Sequence, residues 1–204
     1  MLNHINRNTG FTLVEILISL LLGALLLAMV ISLYVTNVSA GNKAMKLSRL
    51  RTDAQALMGV MEEDIRRASY GGNDFLVGLG RQKVIDSINS ETEKCVIYSY
   101  NYDDAISADS RHIMGFRYSS LNKSIQFGRR VDPRATHCFQ SGAWVNLTDP
   151  SFIKVHRLEF TESSITDSFT TKRSLNINIL IALASDSRYN HQLQTMIQVR
   201  NVEH

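Results

Sequence analysis

Proline and cysteine are both scarce in this chain of 204 residues, with two of each. Neither proline falls between Phe11 and Ala68, so nothing in that stretch interrupts a helix by deleting a backbone donor. The cysteines, Cys95 and Cys138, make no CxxC pair, which excludes zinc-ribbon and thioredoxin-type sites. Strong charge of one sign is missing as well. The formal net charge is +3 and no basic run exceeds two residues, as at Arg66-Arg67 and Arg129-Arg130. Nucleic acid therefore has no electrostatic footprint to meet. His4, His112, His137, His156, His191 and His204 show no HxH, HExxH or His-x3-His spacing, and no G-x-S-x-G elbow occurs. No catalytic constellation and no cofactor site emerge, and no enzymatic activity is expected. Asp103, Asp104 and Asp109 in NYDDAISAD offer oxygen ligands for calcium, but without the spacing or the final Glu of an EF-hand. A solvated loop is the plainer reading. Glycine-rich GGNDFLVGLG, Gly71 to Gly80, lacks the Lys-Ser/Thr of a phosphate loop and the GxGxxG order. It reads as a mobile connection.

What is present is a long oily run. From Ile16 to Val35 there is neither charge nor proline. At a rise of 1.5 Å per residue the run spans ~30 Å, the thickness of a bilayer core. A secretory signal is the rival reading, but its apolar region is shorter and ends in a small-residue cleavage site, and Val35-Thr36-Asn37-Val38 is a poor one. The small residue Gly10 stands before the run instead. A cut there would remove a polar leader, residues 1–10, and leave the helix on the mature chain. Arg7 and the N-terminal amine favour a cytoplasmic N-terminus, whereas Lys43, Lys46, Arg49 and Arg51 on the far side count the other way. An even cysteine pair behind an export-like N-terminus suggests a disulfide in an oxidising compartment, with two unrelated buried thiols as the alternative. That places the C-terminal part outside.

Glu15 is the anomaly. A carboxylate at mid-depth of a membrane helix costs about 2.5–3.5 kcal/mol, and less at the interface. Either Glu15 sits at headgroup level, or it meets a cation when the helix packs among others. Cleavage after Gly10 would create such a cation, the amine of Phe11. An amine on one subunit would meet a carboxylate on its neighbour and neutralise both.

Gly10-Phe11-Thr12-Leu13-Val14-Glu15 followed by the apolar run resembles the class III signal of type IV prepilins and type II secretion pseudopilins. The resemblance implies cleavage by prepilin peptidase after Gly10, N-methylation of Phe11, and a docking role for Glu15. It also implies partners: the peptidase, other minor and major pilins, and the inner-membrane assembly platform. The location implied is a single inner-membrane span with a periplasmic C-terminal domain, then the pilus filament. One departure is the lack of a proline in the apolar half, which implies a straighter helix than in many major pilins. Further on, LMGVMEEDIRRASYGG, CVIYSY, GFRYSS, WVNLTDP and the terminal VRN are in the style of the minor pilins called PilW, whose secretion counterpart is the pseudopilin GspJ. The function implied is a minor subunit that primes pilus assembly, in the filament or its tip complex. A secretion pseudopilin is the alternative, and a single-span envelope protein of other function is the second.

Beyond Val35 the pattern becomes amphipathic. Leu47, Leu50, Ala54, Leu57, Met61, Ile65 and Ala68 recur at spacings of three and four. One helix is expected from about Phe11 to about Ser69, stopped by Gly71-Gly72. Strand signals follow from about Val84: CVIYSYNY, a hairpin of HIMGFRYSS and KSIQFGRR about Leu121-Asn122, AWVNL, VHRLEFTE, SLNINILIAL and LQTMIQVRN. Ser185 to Gln192 reads as a polar connector between the last two. Trp144, Phe127 and Phe160 fall on strands and read as core. The expectation is an α+β, pilin-like fold: about seven strands in an antiparallel sheet packed on the second half of one long helix. Its regions are residues 1–10 (leader), 11–35 (membrane or filament-core helix), 36–70 (amphipathic half) and 71–204 (β-rich domain).

Overall fold

The computed structural model describes residues 10–134, 137–138, 142–166 and 171–199. His4, His204 and the leader apart from Gly10 lie outside the described residues. Two compact units are found, Met1–Lys46 and Leu47–His204, and their boundary falls inside the single long helix α1, Leu13–Ile65.

In the second unit α1 buries Leu50, Ala54, Leu57, Met58, Met61 and Ile65. This is the stripe anticipated from the period, with Met58 added and Leu47 left half-buried. Each such large side chain withdrawn from water contributes roughly 1.5–3 kcal/mol. The helix ends by tightening. Arg67, Ala68 and Tyr70 donate to carbonyls three residues back, the 3₁₀ pattern that relieves unpaired groups at a helix terminus. Ala68 is fully buried in this final turn.

Among the described residues eight strands, one more than expected, make two antiparallel sheets. The first runs in the order β1 (Ile85–Asn89), β2 (Lys94–Ser99), β3 (Ile113–Ser119), β4 (Ser124–Arg129), β5 (Ala143–Asn146), and the second β6 (Ile153–Thr166), β7 (Thr171–Leu183), β8 (Asp186–Gln198). β3 and β4 form the expected hairpin, with Ser119 opposite Ser124. β1 escaped the sequence reading because Asp86, Ser87 and Asn89 dilute its β character; pairing with β2 supplies what propensity does not. The stretch from Asp186 to Gln192, expected as a connector, is the first half of β8. It pairs with β7 from Leu183 back to Leu180, and its polar side chains alternate outward.

The first sheet packs on both faces, its exposed edge strand β5 apart. Val96, Tyr98, Met114, Phe116 and Ile125 face the main core with α1, Phe160, Ile177 and Ile197. Ile97 and Ile113 face a smaller cluster closed by Val77, Val131 and Trp144. The glycine-rich loop is therefore anchored: Phe75 and Val77 are buried, and Val77 exchanges two backbone hydrogen bonds with Lys83. Gly71 is required there. Its φ is 108°, and a Cβ would stand 2.6 Å from the Phe75 ring and 2.7 Å from Asn101, so side chains are excluded on both counts.

Candidate functional site

The N-terminal unit holds three of the residues singled out in the sequence. Gly10 and Phe11 precede α1, and Phe11 is 79% exposed. Thr12 is the N-cap. Its Oγ1 accepts the Glu15 N–H at 3.3 Å and its carbonyl accepts from Ile16 at 3.2 Å. Thr12-Leu13-Val14-Glu15 has the spacing of a capping box, a signal present in the sequence and missed there. Glu15 lies in the first turn, where the exposed N–H groups favour negative charge. Every residue from Gly10 to Lys46 is exposed, and α1 is long and apolar enough to cross a membrane. In the isolated chain this oily surface has nothing to cover it.

The second unit carries the polar contacts that fix α1 on its sheets. Asp64 accepts the Tyr98 phenol at 2.5 Å and the Tyr100 phenol at 2.8 Å. Tyr98 is fully buried, and its rings stack with Tyr100 and Phe116. Burial, and then the Asp64 charge, holds Tyr98 well above the usual phenol range. Burial and the Asp64 hydrogen bond push Tyr100 up to about 12. The last turn of α1 is thus clasped from two sides, since Glu62 also accepts the Thr195 hydroxyl from β8.

Cys95 on β2 is joined to Cys138, with Cα atoms 5.6 Å apart. Arg117 on β3 supports the same corner. It donates to Gln126 Oε1 at 2.7 Å and to the Cys138 carbonyl at 3.0 Å, and its guanidinium lies 4.1 Å from the Trp144 ring centre. Trp144 in turn covers Gly128, where a Cβ would meet the indole at 2.7 Å. Of the three aromatics read as core, Phe160 is fully buried, while Phe127 and Trp144 are half-buried and packed against the two clusters.

Two aspartates of the 101–112 loop, Asp103 and Asp109, are engaged by protein partners. His112 is fully buried. Its Nε2 lies 2.7 Å from Asp103 Oδ1, and its Nδ1 accepts the Asp109 N–H at 3.1 Å. That acceptor role makes the ring the Nε2–H tautomer. Asp109 also receives the Arg111 N–H and guanidinium at 2.7 and 2.8 Å. The His112 bond holds the Asp103 carboxyl below its ordinary range, and the Arg111 N–H does the same for Asp109. Among the described residues no group of three or more His, Cys, Asp or Glu is placed to hold a metal ion.

The comparisons with known proteins fall on the same two parts. Residues 5–31 match the prokaryotic N-terminal methylation motif. Residues 43–199 match the family described as prepilin peptidase-dependent protein B. No curated protein and no solved structure matches the chain significantly.

Proposed function

We propose that this chain, which belongs to the prepilin peptidase-dependent protein B family, is a PilW-like minor pilin that primes or supports assembly of a type IV pilus. A chain with that domain behind a prepilin-type methylation signal is pilin-like and a substrate of prepilin peptidase. The observation that carries the finer reading is the uncovered apolar half of α1, placed directly behind Gly10-Phe11. Such a surface has two covers available, lipid and other helices. It holds the subunit in the inner membrane first and packs into the filament afterwards, with the β-rich domain in the periplasm. Cleavage after Gly10 frees the Phe11 amine, and Glu15 pairs with such an amine on a neighbour, which removes two charges from an apolar bundle. The subunit does no chemistry of its own. Its partners are the peptidase, the major and minor pilins, and the assembly platform.

The test is intact-mass analysis of the protein from membranes with and without the peptidase. A mature chain beginning at N-methylated Phe11, dependent on the peptidase, is the expected result. A chain that retains residues 1–10 in both cases overturns the reading. A type II secretion pseudopilin shares each of these features. Deletion separates the two, since loss of surface pili marks a minor pilin and loss of secreted enzymes marks the pseudopilin.

A further inference from the structure

The charge distribution of the N-terminal unit carries an inference about lipid. Between Glu15 and Lys43 no residue of α1 is charged. If Ile16 to Val35 fill the hydrocarbon core, Lys43 stands about 12 Å beyond its edge, at 1.5 Å per residue. The headgroup layer is roughly 5–7 Å deep on each side; the Lys43 stem reaches back over the remaining distance, while Lys46, about 16–17 Å beyond the same edge, holds its ammonium just outside the layer and within a Debye length of its charge. Lys43 and Lys46 are three residues apart on α1, so they share a face and converge on one site. Both are exposed, and among the described residues neither makes an ion pair or a hydrogen bond. Of the other basic residues on this part of α1, Arg51 stands about 24 Å beyond the same edge, out of headgroup reach, and the rest are paired. Arg49 pairs with Asp53 and lies 4.0 Å from the Phe152 ring centre, while Arg66 and Arg67 pair with Glu62 and Glu63.

We propose that Lys43 and Lys46 form a clamp for an anionic phospholipid headgroup in the leaflet opposite Glu15. The inference rests on the membrane-anchored reading given above and adds the lipid class. Two unpaired ammonium groups on one helix face favour a lipid of net negative charge over a zwitterionic one. The clamp also accounts for basic residues on the side of the span where a positive-inside count does not expect them: they hold headgroups there.

The experiment uses the full chain in vesicles of phosphatidylcholine with a minority of phosphatidylglycerol. After extraction in mild detergent, the phospholipid retained on the protein is quantified by mass spectrometry. Wild type should retain phosphatidylglycerol enriched over the bulk by about fivefold per lysine. The enrichment should fall to the bulk ratio in K43Q/K46Q and in about 0.5 M salt. R51Q, which removes one positive charge farther along the same helix, should keep it. Equal retention by wild type and K43Q/K46Q, or equal loss in R51Q, overturns the clamp. Inorganic phosphate at matched ionic strength should displace no more lipid than sodium chloride does. Greater displacement would make a free anion the ligand and overturn the lipid. Carbonate extraction of the wild-type chain from the vesicles would instead remove the membrane reading and this proposal with it. A carbonate-resistant chain without phosphatidylglycerol enrichment overturns the clamp alone.

Discussion

Asp64 is one residue from the end of α1, yet it determines how the helix meets the first sheet. Hydrogen bonds to a charged acceptor contribute about 1.5–3 kcal/mol each, and Asp64 accepts two from phenols. Asp64→Ala should destabilise the domain by about 3 kcal/mol, because Tyr98 is left buried without its acceptor. Asp64→Asn keeps a carbonyl and should recover part of that loss. Urea midpoints at constant slope measure both, and an unshifted midpoint for the alanine variant would show that the clasp contributes nothing. Glu15 allows a cleaner separation of roles. The cap of α1 uses the backbone N–H of residue 15 and the hydroxyl of Thr12. Alanine at position 15 retains that bond. Glu15→Ala should therefore leave helix initiation, membrane insertion and cleavage intact while impairing incorporation into filaments. Wild-type piliation by the variant would remove charge pairing from the mechanism. Thr12→Ala makes the converse change: it should fray the first turn at a cost of about 1 kcal/mol, read as faster amide exchange there.

Elements differ in how openly they were written. The second half of α1 was legible because six buried positions repeat at helical spacing, and β2, β3 and β4 because aromatic and branched residues alternate. β1 and the first half of β8 were not, because they are polar segments held by neighbours and have little intrinsic preference. At the site, Gly10, Phe11 and Glu15 were legible as a contiguous motif. The Asp64, Tyr98 and Tyr100 cluster was not, since its members are 34 and 36 residues apart and meet only after folding. The cysteines lie between these cases. Their number suggested a bond, and the structure places Cys138 beside β2 to close it. The closed segment, with a sequence separation of 43, limits the unfolded chain and should contribute ~4 kcal/mol in the chain-entropy account. Cys95→Ala with Cys138→Ala should lower the unfolding midpoint accordingly, and the oxidised wild type should show no free thiol. Reactive thiols in oxidised protein would contradict the pairing.

Whole-molecule stability should follow alkaline pH through the same clasp. Tyr98 and Tyr100 are both held above the ordinary phenol value of about 10, Tyr100 at about 12. A raised folded value means that the unfolded chain loses its phenolic protons first. The stabilisation is complete below pH ~10 and is lost as pH rises through about 12. Unfolding and the appearance of the last phenolates should therefore coincide. Release of all phenolates near pH 10 from a chain still folded would contradict the clasp. Asp103 and Asp109 act at the other end. Their carboxyls are lowered, so their contribution is present at neutral pH and fades as acid protonates them below the usual carboxylate range.

The clasp has a further consequence when α1 is considered as a part under tension. Side chains that interlock with two sheets along several turns resist an axial pull in shear, with all contacts loaded together. Glu62 and Asp64 lie at the far end of that loaded segment, tied to β8 and β2 respectively. A force applied through the N-terminal half of the helix is thus distributed along the whole interface and stopped at its last turn. Such a joint gives way in one step or holds, which would suit the proposed extraction of the subunit from a membrane by its own helix.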